Sequence, residues 1–183
     1  MKPLFLMVSS IAIVGLSIMA IASGSASTEN KALEKTHVKI SQNYKTVSHI
    51  SASEVAERDE TSYQIFDIRQ KEEYQVSHIQ NAIWVDPSIS ASSFYESFGP
   101  QLRGKAIILY CSVGVRSSRL AEKLMTGKSK NEVTTIYNLE KGIFGWHNES
   151  RPLTHAGEVT NYVHPYNQIW GRMVNQKALR RYK

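Results

Sequence analysis

Cys111 is the single cysteine in a chain of 183 residues, and Arg116 follows it across Ser112, Val113, Gly114 and Val115, with Ser117 and Ser118 next. The thiolate is the reactive form of cysteine, and a free thiol with a pKa of about 8.5 is mostly protonated at neutral pH. The spacing offers two ways to lower that value. Arg116 brings a cation to where the loop folds back over the sulfur, and Gly114 lets successive N–H groups turn inward as an anion-holding nest. Ser117 and Ser118 can cap a following helix and donate further hydrogen bonds. The chemistry this describes is nucleophilic attack by sulfur, with a covalent intermediate and a negative group held by the loop. A buried, inert thiol is the competing reading, common for free cysteine. Composition leaves the two open; the neighbours favour the reactive one.

The elements that must position the loop can be read on either side of it. Ala106 to Tyr110 is an apolar run of strand type, and Ser117 to Met125 carries Leu120, Ala121, Leu124 and Met125 at helical spacing up to Gly127. Cys111 therefore falls at a strand end and a helix start, where unpaired N–H groups and aligned peptide dipoles attract anions. Upstream, Ser51-Ala52-Ser53-Glu54 has the form of a capping box, so a short helix is expected there. Strands are expected at Tyr63–Phe66, ending at Asp67, and at Ala82–Val85, with helices over 70–75 and 92–98. A last strand is expected at Glu132–Tyr137, before a short segment with Gly142, Ile143, Phe144, Gly145 and Trp146. This alternation predicts an α/β domain with a mainly parallel central sheet. Sites in such sheets form at the carboxyl ends of strands, where both Asp67 and Cys111 fall.

The ends of the chain differ in character. Lys2 precedes an apolar run from Leu4 to Ala22, and Gly24 and Ala26 are spaced for cleavage after Ala26, so residues 1–26 read as an export signal. The run is also long enough to act as an uncleaved anchor, tethering the protein to a membrane through residues 4–22. Both readings place the remainder in the periplasm or otherwise outside the cytoplasm. Residues 27–45 are polar and read as a mobile linker. From Thr154 to Lys183 an extension ends in Lys177, Arg180, Arg181 and Lys183; Gln168 to Tyr182 is expected to be a helix presenting Ile169, Met173 and Val174. The formal net charge of +6 favours anionic partners, but there is no basic stripe interleaved with aromatics, so nucleic acid is not an expected partner. His147, His155 and His164 lack the close spacing of a metal site, so neither metal nor cofactor is expected.

Tyrosine-type phosphatases and arsenate reductases place five residues between cysteine and arginine, whereas here four intervene. The shorter ring suits one sulfur atom on the cysteine better than a phosphoryl group. The loop resembles the active loop of single-domain rhodaneses, and three further motifs share the resemblance. Ile65-Phe66-Asp67-Ile68-Arg69 is similar to the family's strand ending in Asp-x-Arg. Glu73-Tyr74 with His78-Ile79-Gln80-Asn81-Ala82 is similar to its second motif, though Ser77, Gln80 and Asn81 stand where Gly, Pro and Gly are usual. Asn138-Leu139-Glu140-Lys141-Gly142-Ile143, with Trp146 and Pro152, resembles the closing motif, with Lys141 in place of a common glycine.

The resemblance implies a three-layer rhodanese-like domain over 46–153. It implies a sulfurtransferase in which Cys111 carries sulfane sulfur as a persulfide, from thiosulfate or a persulfide donor to cyanide or a thiol. Arg116, Ser112, Val113, Gly114, Val115 and Ser117 would bind the small anionic donor, and Asp67 and Arg69 would hold the loop from behind. Val113 and Val115 leave the loop with one cation, which makes thiosulfate a less assured donor. The alternative function is a rhodanese-like binding module whose cysteine is not turned over and whose tail docks a periplasmic or membrane partner.

Overall fold

The computed structural model describes residues 30–127 and 135–183. The export segment expected at 1–26 and the start of the strand expected at Glu132 lie outside these residues. Among the described residues no helix is long and apolar enough to cross a membrane.

Strand β4 (Ala106–Tyr110) is buried at every position. A strand covered on both faces is what a near-continuous apolar run predicts for a parallel sheet. It lies at the centre of five parallel strands in the order β1 (Ser48–Ile50), β5 (Ile136–Leu139), β4, β2 (Tyr63–Asp67), β3 (Ile83–Trp84). Successive side chains of a strand point to opposite faces, and the core divides accordingly. Ile107 and Leu109 join Phe66, Phe94, Leu120 and Leu124 on one face, under α4 (Ala91–Phe98) and α5 (Val115–Thr126). Ile108 and Tyr110 join Ile50, Val55, Leu139 and Phe144 on the other, under α2 (Ala52–Ala56) and α6 (Gly142–Asn148). The result is the expected three-layer α/β arrangement. The capping box is formed: Glu54 N–H donates to Ser51 Oγ (3.2 Å) and Ser51 N–H to Glu54 Oε2 (2.8 Å). Helix α3 (Lys71–Val76) follows β2, and a small antiparallel pair, Leu153–His155 with Glu158–Thr160, lies apart from the main sheet.

Two expectations are corrected. The linker expected over 27–45 contains a helix, α1 (Lys31–Asn43), capped by Asn30, whose side chain accepts from the Leu33 N–H. Leu33 and Ile40, seven positions apart, are buried in the core on the α6 side, so a strip two residues wide holds the helix in place. The long helix expected over 168–182 is instead one turn, α7 (Gln168–Gly171), and a separate 3-10 turn at Lys177–Leu179. The i to i−4 ladder is abandoned there as side chains of Asn30, Asn148 and Arg180 take the Arg172, Met173 and Val174 carbonyls. Met173 and Val174 N–H groups bond three residues back, to Trp170 and Gly171, and the Asn175 N–H goes to Asn148 Oδ1.

Candidate active site

Strand β4 delivers Cys111, and the residue before it is fixed first. The Tyr110 hydroxyl donates to Asp67 Oδ2 (2.7 Å) and accepts from the Ile79 N–H (3.1 Å), while the Tyr110 carbonyl accepts from Ile68 (2.8 Å). Arg69 donates to both Asp67 oxygens and to the Ser77 carbonyl. Both charged side chains are completely buried. Burial pulls the Arg69 pKa down, but the Asp67 charge and its hydrogen bonds overcome this and raise it, so the guanidinium stays charged. Asp67 and Arg69 thus reach the loop through Tyr110 and do not line it.

The loop itself is suspended from α6. The Cys111 carbonyl accepts from Ile143 N–H (2.9 Å) and the Ser112 carbonyl from Phe144 N–H (3.1 Å). These are first-turn donors with no partner inside the helix. The approach is close because residue 142 is glycine: a Cβ there would overlap the Cys111 carbonyl oxygen and stand 2.8 Å from that of Ser112, and its φ of 56° is left-handed.

Above this support, the Gly114 N–H donates to Cys111 Sγ (3.2 Å), from a backbone with φ 108° that side chains disfavour. Burial pushes the thiol pKa up. The Arg116 charge and the nearby Ser117 and Val113 N–H groups outweigh it and leave the thiol below its ordinary value. Ser117 is in turn placed by Asn138, whose Oδ1 accepts its hydroxyl at 2.6 Å. Asn138 Nδ2 lies 3.1 Å from Nδ1 of His49, its neighbour across the β1–β5 pairing. Burial and the nearby His37 lower the His49 pKa, which favours the neutral ring that can accept this bond. A Ser117–Asn138–His49 chain therefore runs from the sulfur to the far edge of the sheet.

Arg116, expected as the loop's one cation, is held by Glu73. Its Nη1 and Nη2 donate to the two carboxylate oxygens (2.8 and 3.1 Å), and Ser112 Oγ closes the ring by accepting from Nη2 (2.9 Å) and donating to Glu73 Oε1 (2.8 Å). Glu73 is 2 % exposed. Burial alone would raise its pKa, but Arg116, Arg69 and Ser112 together hold it below the usual carboxylate value. Over the sulfur lies a cavity of about 170 Å3 lined by Cys111, Ser112, Val113, Val115, Arg116, Tyr166 and Trp170. A larger depression of about 610 Å3 lies between α3 and the C-terminal segment and contains no nucleophilic cysteine. Four other histidines meet the backbone: His78 bonds the Tyr74 carbonyl, His147 the Asn161 carbonyl, His155 the Gln75 carbonyl, and His164 accepts from the Tyr166 N–H.

All seven loop residues named from the sequence converge here. Five others do not stand out in it as site residues. Glu73 and Asn138 occur within the motifs but pair with partners 43 and 21 positions away. His49 has no motif. Tyr166 and Trp170 come from the extension, and the aromatic spacing there gives no signal.

A strand-borne cysteine in a short loop, hung from one helix and leading into another, is the arrangement of a known domain class. The profile of the Rhodanese-like domain matches residues 51–149, more than half of the chain, and the protein belongs to that family. Among solved structures, a thiosulfate sulfurtransferase from Pseudomonas aeruginosa superposes with a TM-score of 0.53 at 21% identity, over 81% of this chain and 27% of that one. A rhodanese-related protein from Thermoplasma volcanium gives 0.46 at 26% identity over 58% and 97%, and a protein from Bacillus halodurans 0.49 at 17% over 66% and 86%. The chain thus spans about a quarter of the Pseudomonas protein's length. No curated protein matches this chain.

Proposed function

We propose that the protein is a sulfurtransferase in which Cys111 carries sulfane sulfur as a persulfide. The observation that carries this reading is the sulfur's setting: it accepts the Gly114 N–H and is held acidic by Arg116 and Ser117. The Cys111 thiolate attacks the outer sulfur of a donor R–S–SH. A new S–S bond forms, the donor's S–S bond breaks, and R–S⁻ leaves with the bonding pair. With thiosulfate the same attack expels sulfite. An acceptor thiolate then attacks the outer sulfur of the Cys111 persulfide, and Cys111 departs as the thiolate. Each step keeps negative charge on sulfur, where loop N–H groups are aimed to stabilise it.

Intact-mass measurement after incubation with a sulfur donor tests this. The protein should gain one sulfur atom, lose it to cyanide or a thiol, and show neither change in Cys111→Ser. Failure with every donor, persulfides of small thiols included, sinks the reading. The apolar run at 4–22 supports export of this activity from the cytoplasm, which the N-terminal sequence and the cell fraction of the mature protein would check.

A further inference from the structure

The wall facing Cys111 is built by chain outside the family-matched range of 51–149. Val163 and Val174 are fully buried in the core cluster that also holds Tyr110, Val113 and Ile143, and Trp170 and Met173 pack against it. Between them, Asn167 Oδ1 accepts from the N–H groups of Ile169 (3.0 Å) and Trp170 (2.9 Å), and the Tyr166 N–H donates to His164 Nδ1 (3.0 Å). Two asparagines fasten the segment from outside. Asn30 Nδ2 donates to the Arg172 carbonyl (3.2 Å) and to Asn175 Oδ1 (3.0 Å), and Asn148 Nδ2 to the Met173 carbonyl (2.8 Å). Trp170 is therefore a fixed part of the site, and Tyr166, 45 % exposed, stands at its open side beside Arg116.

What they enclose is unlike a site for a small dianion. The lining is two valines, two aromatic rings, a serine hydroxyl and one guanidinium. Glu73 engages that guanidinium with both carboxylate oxygens, and Ser112 donates to the same carboxylate. The Arg116 guanidinium carbon also stands 5.1 Å over the Tyr166 ring. The loop N–H groups turn toward the sulfur at the base, and beyond them a dianion loses hydration against apolar walls and meets one cation whose charge is already matched, an unfavourable exchange. An organic group instead meets aromatic and valine surface. At about 170 Å3 the cleft, open on the Tyr166 side, has room for one ring.

We propose that Tyr166 and Trp170 determine donor specificity, selecting a sulfane sulfur carried by a compact apolar organic group over inorganic thiosulfate. This deepens the sulfur-transfer reading and rests on it. With an organic thiosulfonate, R–SO2–S⁻, the Cys111 thiolate bonds to the terminal sulfur, the S–S bond breaks, and the sulfinate R–SO2⁻ leaves with the pair.

Benzenethiosulfonate and thiosulfate, each with cyanide as acceptor and thiocyanate as readout, test the proposal on the full chain. The quantity of interest is the ratio of kcat/KM for the two donors, and its change on substitution cancels their intrinsic reactivities. Trp170→Ala and Tyr166→Ala should each lower the aryl-to-thiosulfate ratio, Trp170→Ala by about tenfold, as expected for lost contact in a hydrophobic pocket. Trp170→Phe should keep most of it. Thiosulfate turnover in the same variants gauges whether the loop is intact. A ratio unchanged in both alanine variants, or equal loss of both donors, overturns the aromatic selection while leaving sulfur transfer standing. No transfer from either donor in the unsubstituted protein overturns both.

Discussion

Cys111 is 1 % exposed, and burial by itself would keep its thiol protonated. Its acidity depends on donors that can be removed one at a time. The rate of Cys111 alkylation should rise with pH to a midpoint below that of a free thiol, and Arg116→Gln should move that midpoint upward. A midpoint unchanged by Arg116→Gln would mean that the guanidinium does not act on the sulfur. Glu73 acts at the same scale on stability. Its folded pKa lies below the ordinary 4.5, so the stabilisation from the Arg116 pair is fully present above that value and lost as pH falls through the lower, folded one. Glu73→Gln should cost about 2–3 kcal/mol at neutral pH in urea unfolding, less than a fully buried pair because the Arg116 side chain keeps 23% exposure, and should flatten the acid limb of the stability profile. The carboxylate was visible in the sequence as part of a motif, but its partner was not. Arg116 lies on another helix, and spacing along a chain says nothing about which charge meets which across a sheet.

The decisive element is α6, which carries the loop by two backbone hydrogen bonds and admits it by having glycine at its start. Gly142→Ala should destabilise the protein by at least about 2 kcal/mol, combining strain at a left-handed backbone with displaced backbone that cannot give way as a side chain would. Persulfide formation should fall more than stability does, because the displaced atoms are the Cys111 and Ser112 carbonyls. Retention of full sulfur loading in a folded Gly142→Ala protein would show that the loop is not held from this side. Elements of this kind were legible where burial dictated residue type over several positions. Ala106–Tyr110 reads as a strand because all five of its positions are buried, and α5 because Leu120, Ala121 and Leu124 share a face. Helix α1 was not legible: only Leu33 and Ile40 are buried in it, and a strip that narrow among lysines looks like solvated chain. The 168–182 segment failed in the opposite way. Its apolar residues have helical spacing, but side chains of Asn30, Asn148 and Arg180 captured the backbone carbonyls a continuing helix needs.

At the scale of the molecule, the C-terminal segment is a structural part of the domain. Truncation after Leu153 removes Val163 and Val174, both 0 % exposed, and burying a valine is worth about 1.5–3 kcal/mol. Against a typical total of about 5–15 kcal/mol, the truncated chain should unfold at much lower urea or lose cooperative unfolding altogether. A truncated protein with an unchanged midpoint would show that the segment only rests on the surface. Such a truncation therefore cannot separate an enzyme from a docking module, although the sequence suggests it as the natural test. The bonds from Asn30 to Arg172 and Asn175 also bear on how the site comes to exist. They join residues 142 and 145 positions apart, and contacts that close so long a loop carry an entropic cost that delays their formation. During synthesis the residues of the loop, the sheet and α6 are all joined before Trp170 and Asn175 are added. Since Val163 and Val174 share one core cluster with Tyr110, Val113 and Ile143, the seat of the thiol and the wall that selects its donor become fixed together, and only once that late segment has arrived.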